Sequence, residues 1–208
     1  MVAVMTETTH KLTPKGLATR ARIVEAAAQL IYERGVHGTN NELLRRAASV
    51  SGSQLNHYFP DKESWVRAVI QWRADNVIAL HRREELGELD SLEALRRWAD
   101  SYIGWEPAGK GGCGYGSLAA EIIKTDLAVH DDLQAGFERW EELFRRGLRK
   151  MRDRGVLRPD ANPDHLTHVV MAAFQGGMLL AQAAGDVAPL RDALDGALAY
   201  IATFTPAG

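Results

Sequence analysis

Two short sequences with the pattern of a helix N-terminus lie twelve residues apart, and they constrain the fold more than any other feature. Thr39-Asn-Asn-Glu42 and Ser51-Gly-Ser-Gln54 both match the capping box, in which the first side chain accepts a hydrogen bond from a free backbone N–H and the fourth reaches back. Helices that start so close together leave room only for a tight turn, at residues 49–51. The pattern therefore predicts a helix-turn-helix.

The second short helix has one apolar and one polar side. Val50, Leu55 and Phe59 are expected in the core, together with Leu43, Leu44, Ala47 and Ala48 of the first short helix. The polar side carries Gly52, Ser53, Gln54, Asn56, His57 and Tyr58. The sequence therefore predicts a polar helix surface that faces outward.

Apolar residues recur at helical spacing along almost the whole chain, and no stretch alternates convincingly at period two. We predict an all-α protein with about nine helices. They lie near residues 17–34, 40–48, 52–58, 62–83, 91–105, 116–125, 130–153, 163–184 and 188–204.

The charge of the chain is divided unevenly along its length. Residues 1–83 hold twelve Lys and Arg against seven Asp and Glu, whereas residues 84–208 hold thirteen against twenty. A basic first part suggests a polyanionic partner for that part, because neutralisation of phosphate by Lys and Arg dominates nucleic-acid affinity. Chance clustering of charge is the alternative.

The sequence also indicates the cellular compartment of the protein. The start of the chain lacks the pattern of a signal peptide, and no apolar run approaches the length that crosses a bilayer. The single cysteine, Cys113, can form neither an internal disulfide nor a zinc site by itself. We therefore expect a cytoplasmic protein with no membrane partner.

Residues 19–70 resemble the DNA-binding domain of the TetR family of bacterial transcriptional regulators. The resemblance is carried by "TRARIVEAAAQLIYERGVHGT" and "AASVSGSQLNHYFPDKESWVRAVI". It implies an N-terminal three-helix helix-turn-helix domain at residues 17–62, after a flexible tail at 1–16. A helical C-terminal ligand-binding and dimerisation domain at 63–208 would follow. The implied function is a repressor that binds palindromic operator DNA as a homodimer and is released by a small-molecule effector.

Three positions depart from the family pattern. Ser49 stands where the family usually has the glycine of the turn, so the turn must form without the backbone freedom of glycine. Asn56 stands where a tyrosine often contacts phosphate, and we expect that contact to shift towards Tyr58. Arg45 stands where a small residue is common.

A recognition helix touches base edges mainly through its N-terminal residues, while flanking groups hold the backbone. Ser53, Gln54 and His57 are the predicted base contacts, and Gly52 allows close approach. Tyr58 and Lys62 are the predicted phosphate contacts. The full predicted DNA-binding set is Thr39, Asn40, Ser51, Gly52, Ser53, Gln54, Asn56, His57, Tyr58 and Lys62. As alternatives, Ser51 and Gln54 only cap the helix, His57 is a solvated surface residue, and Lys62 pairs with a nearby carboxylate.

Bulky side chains are concentrated in the second half of the chain. The predicted effector-binding residues are Trp98, Tyr102, Trp105, Cys113, Leu118, Glu121, Trp140, Phe144, Phe174 and Met178. Taken singly, such residues are more often simple core positions, and their concentration in one domain is what indicates that some of them line a pocket. The tract "CGYGSLAAEI" also resembles part of the C-terminal domain in a TetR branch that includes regulators of drug-efflux genes, which favours an apolar or aromatic effector.

The last two predicted helices, 163–184 and 188–204, are apolar over wide faces. Two such helices from each subunit can form a four-helix dimer interface, although burial within one subunit is the alternative. His165 and His168 lie on one side of the first of them, but no further ligand cluster supports a metal site, and no cofactor is predicted.

Two other functions compete with a repressor. A helical enzyme could use Cys113 with a histidine, although the chain has no nucleophile motif and no cofactor fingerprint. An all-helical protein-interaction module is the third interpretation. It predicts no salt-dependent affinity for DNA. The expected localisation of a repressor is the bacterial cytoplasm, in association with the nucleoid when DNA is bound.

Overall fold

A computed structural model describes residues 12–81, 86–104 and 112–206 of the chain. Every regular element among these residues is an α-helix, which confirms the predicted all-α class. The helices are α1 (Pro14–Gly38), α2 (Asn41–Ala47), α3 (Gly52–Tyr58), α4 (Lys62–His81), α5 (Leu92–Ile103), α6 (Gly114–Ile122), α7 (His130–Asp153), α8 (Pro163–Ala184) and α9 (Ala188–Ala202).

The first helix differs from its prediction at both ends. It begins at Pro14, inside the predicted tail, because the Thr13 side chain accepts a hydrogen bond from the backbone N–H of Gly16 and caps the helix. It also continues past Gly35, beyond its predicted end at residue 34. Gly35 adopts φ 73° and ψ 168°, so the helix kinks there and resumes to Gly38. Residues 1–11 of the predicted tail lie outside the described residues.

The chain divides into two compact units, Met1–Val69 and Ile70–Gly208. The division falls within α4, later than the domain boundary predicted at residue 62. In the first unit, the α1 residues Ile23, Ala27 and Ile31 are buried, as their spacing predicts. Leu55 and Phe59 are buried as well.

The first short helix buries less of its apolar side than predicted. Leu44 and Ala48 are fully buried, whereas Leu43 is half-buried and Ala47 is exposed. Seven residues make only about two turns. One row of side chains therefore reaches the core, and Ala47 lies off that row.

The second unit is built around α8 and α9, which pack extensively on each other. α7 also contacts α8, and α5 contacts α9. Gly177 allows the close approach of α8 to α9, since a Cβ there would lie 2.9 Å from the Cα of Leu190. By length and composition, α8 alone among the described helices could cross a membrane, and 44% of its apolar window is buried inside the protein.

Candidate functional site

The turn between α2 and α3 is held in place by hydrogen bonds to backbone carbonyls, and it contains a strained residue, Ser49. The N–H of Val50 donates to the carbonyl of Arg45 at 3.0 Å, and Arg22 of α1 donates through Nε to the carbonyl of Ala48 at 3.0 Å. Ser49 has φ 51°, in the left-handed region that favours glycine. The turn therefore has the glycine-like conformation without the glycine.

The N-terminus of α3 forms the predicted capping box. Ser51 Oγ accepts from the N–H of Gln54 at 3.1 Å, and Gln54 Oε1 accepts from the N–H of Ser51 at 3.0 Å. Ser51 Oγ also lies 3.0 Å from Ser53 Oγ. Because the capping box uses the amide oxygen of Gln54, the amide NH₂ is the end of this side chain that can turn towards a partner.

The outward side of α3 is polar, as the sequence predicts. Gly52, Ser53, Gln54, Asn56 and His57 are exposed, whereas Leu55 is buried. Tyr58, at the end of the helix, is half-buried, and its ring packs edge-on against His57 with centroids 4.9 Å apart. The Tyr58 hydroxyl lies close to Gly16, in the first turn of α1.

The start of α2 differs from the predicted capping box. Asn40, and not Thr39, is the cap, because its side chain accepts from the N–H of Leu43 at 3.0 Å. Thr39 is fully buried, and its hydroxyl donates to the carbonyl of Gly35 at 2.9 Å. Asn40 is exposed and remains available to a partner, whereas Thr39 is not.

Lys62 also has a different position from the one predicted. Its Nζ donates to the carbonyls of Val36 and Thr39, at 2.6 and 2.9 Å. Partial burial lowers the pKa of this ammonium group. A cation on the last carbonyls of a helix stabilises the helix end. The side chain therefore closes the C-terminus of α1, where the sequence predicted a phosphate contact or a pair with a carboxylate.

Arg45 was not among the predicted DNA-binding residues, although it lies next to the recognition helix. Its side chain lies beside the start of α3, since a Cβ at Gly52 would be 4.0 Å from Arg45 Cδ. Glu42 pairs with both Arg45 and Arg46, at 2.8 Å in each case, and these two cations lower the pKa of the Glu42 carboxyl group. An arginine in place of the small residue usual at this position was the feature of the sequence that could have indicated this role.

The second unit contains a cavity of about 400 Å³. Five predicted effector residues line it: Tyr102, Cys113, Trp140, Phe174 and Met178. Trp98, Leu118 and Phe144 are buried core residues, and they and Glu121 are not among the described residues that line the cavity. Trp105 lies outside the described residues. The structure therefore shows which of the predicted residues line the cavity and which belong to the core, a distinction that the sequence could not make.

The sequence prediction also omitted one whole wall of the cavity. Arg73, Asn76, Val77 and Leu80 line it from α4. Their spacing places them on one side of that helix. The helical spacing of these four residues could have indicated that they share one side of α4. It could not have indicated that this side faces a cavity.

A buried histidine organises the aromatic residues beside the cavity. Trp98 Nε1 and Trp140 Nε1 both donate to His81 Nε2, at 2.7 and 3.2 Å. His81 Nδ1 lies 2.8 Å from the carbonyl of Val77 and donates to it, because that oxygen can only accept. Burial lowers the pKa of the imidazole. The ring is therefore neutral, and the lone pair on Nε2 accepts hydrogen bonds from both indole N–H groups.

Cys113 is a half-buried thiol. Its Sγ accepts from the N–H of Gly116 at 3.3 Å and caps α6, and Gln175 Nε2 lies 3.7 Å away. Burial raises the pKa of the thiol, so the reactive thiolate form is disfavoured. In the part of the chain that the structure describes, no group of three or more His, Cys, Asp or Glu could hold a metal ion.

Two protein-family models match the chain. The model "Bacterial regulatory proteins, tetR family" matches residues 23–69, and "Tetracyclin repressor-like, C-terminal domain" matches residues 89–197. The HTH-type transcriptional repressor DhaR of Mycobacterium sp. (strain GP1) is 26% identical over 161 residues, which are 77% of this chain and 80% of the relative. An HTH-type regulator of Lactococcus lactis is 27% identical over 186 residues, 85% of this chain and 90% of the relative.

Solved structures share the fold. A TetR regulator from Chloroflexus aurantiacus has a TM-score of 0.79 at 24% identity, over 91% of this chain and 96% of that one. A regulator from Cytophaga hutchinsonii has a TM-score of 0.82 at 19% identity, over 95% of this chain and 100% of that one. At these identities the likeness establishes the fold.

Proposed function

The chain belongs to the TetR family of bacterial transcriptional regulators, and we propose that it represses transcription by binding operator DNA through α3 until an effector enters the second unit. Members of the family bind operator DNA and small-molecule effectors, typically as dimers, and are not enzymes. The alternatives of an enzyme or an interaction module are therefore not favoured. The name of the relative DhaR as a repressor supports repression over activation.

The observation that carries the proposal is the outward side of α3. A capped helix on a helix-turn-helix exposes Ser53, Gln54 and His57 near its N-terminal end, with Leu55 buried beneath them. These side chains are the base contacts, and Gly52 allows the backbone to approach the groove. Ser51 caps the helix, and Asn56 lies beside the base contacts on the exposed surface.

Phosphate contacts come from residues near the two ends of α3. Asn40 and Tyr58 hold the DNA backbone on the two sides of the helix, and Arg45 adds a cation beside its N-terminus. Thr39 and Lys62 are left out of this set, because the first is buried and the second is bound to backbone carbonyls.

Selection from random DNA at low salt tests the proposal directly. We expect a palindromic site whose half-sites lie about 34 to 36 Å apart or a multiple of that distance. The logarithm of the affinity should fall linearly with the logarithm of salt concentration. Enrichment of no sequence, or of a site without symmetry, would contradict it.

Gln54→Glu separates recognition from folding. A glutamate at this position keeps a side-chain oxygen that can accept from the N–H of Ser51 but loses the amide NH₂. Because glutamine pairs with adenine and glutamate accepts from cytosine, we expect the preferred base to change at one or two positions of each half-site. Gln71→Glu, on the exposed surface of α4, introduces the same charge and should leave the selected sequence unchanged. An unchanged site in the Gln54 variant would remove this residue from the base contacts.

The homodimer interface lies on α8 and α9, over residues 163–184 and 188–204. Leu179, Leu180 and Tyr200 are 66%, 58% and 39% exposed in the single chain, and Gly176 leaves open space beside them. Apolar side chains exposed to this extent on two neighbouring helices are typical of a surface that a second copy covers. Gly177, by contrast, serves the packing of α8 on α9 within one chain.

Leu179→Glu tests the dimer interface. We expect sedimentation to show a monomer, because a buried unpaired charge opposes association. Ile123→Glu is the matched control, because Ile123 is 65% exposed on a different helix end. A dimer that survives in the Leu179 variant places the interface elsewhere.

The cavity lined by Trp140 and Phe174 is the effector site, with an apolar or aromatic effector as its ligand. The volume of the cavity, about 400 Å³, lies within the range usual for small-molecule sites, roughly 300 to 1,000 Å³. The repressor acts in the cytoplasm and associates with the nucleoid through its DNA sites.

A further inference from the structure

One carboxylate holds two arginines in the first helix of the helix-turn-helix. Glu42 lies in the first turn of α2, and Arg45 and Arg46 follow it at the i+3 and i+4 positions, on the same side of the helix. Arg45 donates from Nε to Glu42 Oε2 at 3.1 Å and from Nη2 to Oε1 at 2.8 Å. Arg46 donates from Nε to Oε1 at 2.8 Å. The hydrogen bonds from Arg45 and Arg46 lower the pKa of this carboxyl group, so it is ionised at neutral pH.

The backbone of the two arginines belongs to the turn that leads into α3. The N–H of Val50 donates to the carbonyl of Arg45 at 3.0 Å, and the N–H of Ser49 donates to the carbonyl of Arg46 at 3.1 Å. The aliphatic part of Arg45 reaches the first residue of α3, since a Cβ at Gly52 would lie 4.0 Å from Arg45 Cδ. The two arginine side chains therefore extend from positions that the turn fixes.

Glu42 occupies the N–H groups with which arginine binds phosphate. Nε and Nη2 of Arg45 form one edge of the planar guanidinium, and this edge matches two oxygens of a carboxylate or of a phosphate. The side chains of Glu42, Arg45 and Arg46 are 51%, 38% and 70% exposed. Ion pairs exposed to this extent contribute little stability. A DNA phosphate can therefore replace the carboxylate at small cost.

We propose that Glu42 is a positioning residue for phosphate recognition, which holds Arg45 and Arg46 in the free protein and is displaced by a DNA phosphate when α3 enters the major groove. The displaced carboxylate stays near that phosphate and repels it. Glu42 therefore lowers the affinity for DNA of any sequence, and stable binding depends on the base contacts of α3. The proposal rests on the proposed function, since it concerns the same DNA-binding surface.

A purely structural role for Glu42 predicts the opposite result. A carboxylate in the first turn stabilises a helix through the helix dipole, and pairs at i+3 and i+4 add to this effect. If that were its whole role, removal of the charge would loosen α2 and would weaken DNA binding or leave it unchanged. Under the proposal, removal of the charge strengthens binding. The direction of the change in DNA affinity separates the two roles.

Glu42→Gln tests the proposal, because glutamine has nearly the same shape as glutamate but no charge. The affinity of the full chain for a random-sequence duplex is measured by fluorescence anisotropy over a range of salt concentrations. We expect the variant to bind about tenfold more tightly at about 50 mM salt, and the slope of log affinity against log salt to be steeper by about 0.9. That slope reduces the difference to about twofold at about 300 mM salt. An unchanged slope or weaker binding would overturn the proposal.

Two controls separate the hold on the arginines from a general change of charge. Glu25→Gln removes the same charge from the exposed surface of α1 and should leave the slope unchanged. In a protein that carries both Arg45→Met and Arg46→Met, the further change Glu42→Gln should raise the affinity by at most about threefold, because only the repulsion between carboxylate and phosphate is left to remove. A full tenfold gain in that protein would show that Glu42 does not act through the arginines. Circular dichroism checks that each variant folds.

Selection from random DNA is repeated with the wild-type and the Glu42→Gln proteins. Both should select the same palindromic site, because no base contact changes, and an altered site would show that Glu42 itself contacts bases. A wild-type protein that selects a palindromic site, with no gain in affinity on Glu42→Gln, refutes the Glu42 proposal alone. A wild-type protein that binds no specific DNA refutes the proposed function.

Discussion

Replacement of His81 by leucine is the sharpest test of the packing in the second unit. The substitution removes the nitrogen that accepts from two buried indoles, Trp98 at 2.7 Å and Trp140 at 3.2 Å. Leucine has a similar volume, so the loss of packing is small. The main effect is that two indole N–H groups lose their acceptor inside the protein.

The magnitude follows from these distances. A buried donor without a partner costs about 1 to 3 kcal/mol. Trp98 makes the shorter bond and should contribute towards the upper end, whereas the longer bond of Trp140 contributes less. Since the two donors share one lone pair, their contributions do not simply add. We expect His81→Leu to lower the free energy of unfolding by about 2 to 4 kcal/mol.

Urea titration with tryptophan fluorescence measures the loss. His81→Gln is the matched control, because its amide oxygen can still accept from an indole, and it should lose less than half as much. The reasoning is refuted if His81→Leu loses under about 0.5 kcal/mol, or if glutamine destabilises as much as leucine.

The same histidine predicts how stability depends on pH. Its pKa is lowered by burial in the folded state, so the unfolded chain binds more protons as the pH falls below the ordinary value of about 6.5. Stability from this residue is complete above that pH and is lost as the pH falls towards the folded pKa, by at most about 1.4 kcal/mol per pH unit. His81→Gln should lack this loss, and His130→Gln, at an exposed position, should keep it.

Two further predictions concern the first unit. Ser49→Gly should raise the free energy of unfolding by about 0.5 to 1 kcal/mol, because relief of the left-handed strain at φ 51° exceeds the added entropy of the unfolded chain. The control, Ser53→Gly within α3, should lower the free energy of unfolding. Thermal unfolding measures both variants, and a destabilised Ser49→Gly protein would contradict the strain. Lys62→Met should lower the stability by about 1 to 3 kcal/mol, because two carbonyls at the C-terminus of α1 lose their cation, and should leave the salt dependence of DNA binding unchanged. A salt slope reduced by about one would restore Lys62 as a phosphate contact.

Features that depend on neighbouring residues could be predicted from the sequence. The bounds of α3, α7 and α8 agree with prediction, because a cap, a proline or a charged first turn marks the start of each. The all-α class follows from the same helical spacing. The capping box of α2 was wrong by one residue, since Thr39 and Asn40 are both good caps and only the end of α1 decides which is free.

Features that depend on distant residues could not be predicted. Lys62 bonds to a carbonyl 26 residues earlier in the chain, and Trp140 donates to a histidine 59 residues away. Neither pairing leaves a trace in local composition. The search for bulky side chains found Trp140 but passed over Arg73, since one arginine on an otherwise mixed helix has no distinguishing pattern. The branch of drug-efflux regulators remains a prediction.

The aromatic residues of the second unit show why burial alone does not assign function. Trp98 and Trp140 are equally buried and donate to the same nitrogen, yet only Trp140 lines the cavity among the described residues. Its indole is held by His81, so the surface that it offers a ligand is fixed before binding. A fixed wall reduces the entropy that binding must remove. His81→Leu should therefore weaken the binding of an aromatic effector as well as the fold, whereas His81→Gln should preserve most of both. An effector affinity equal to wild type in a folded His81→Leu protein would show that Trp140 needs no such support.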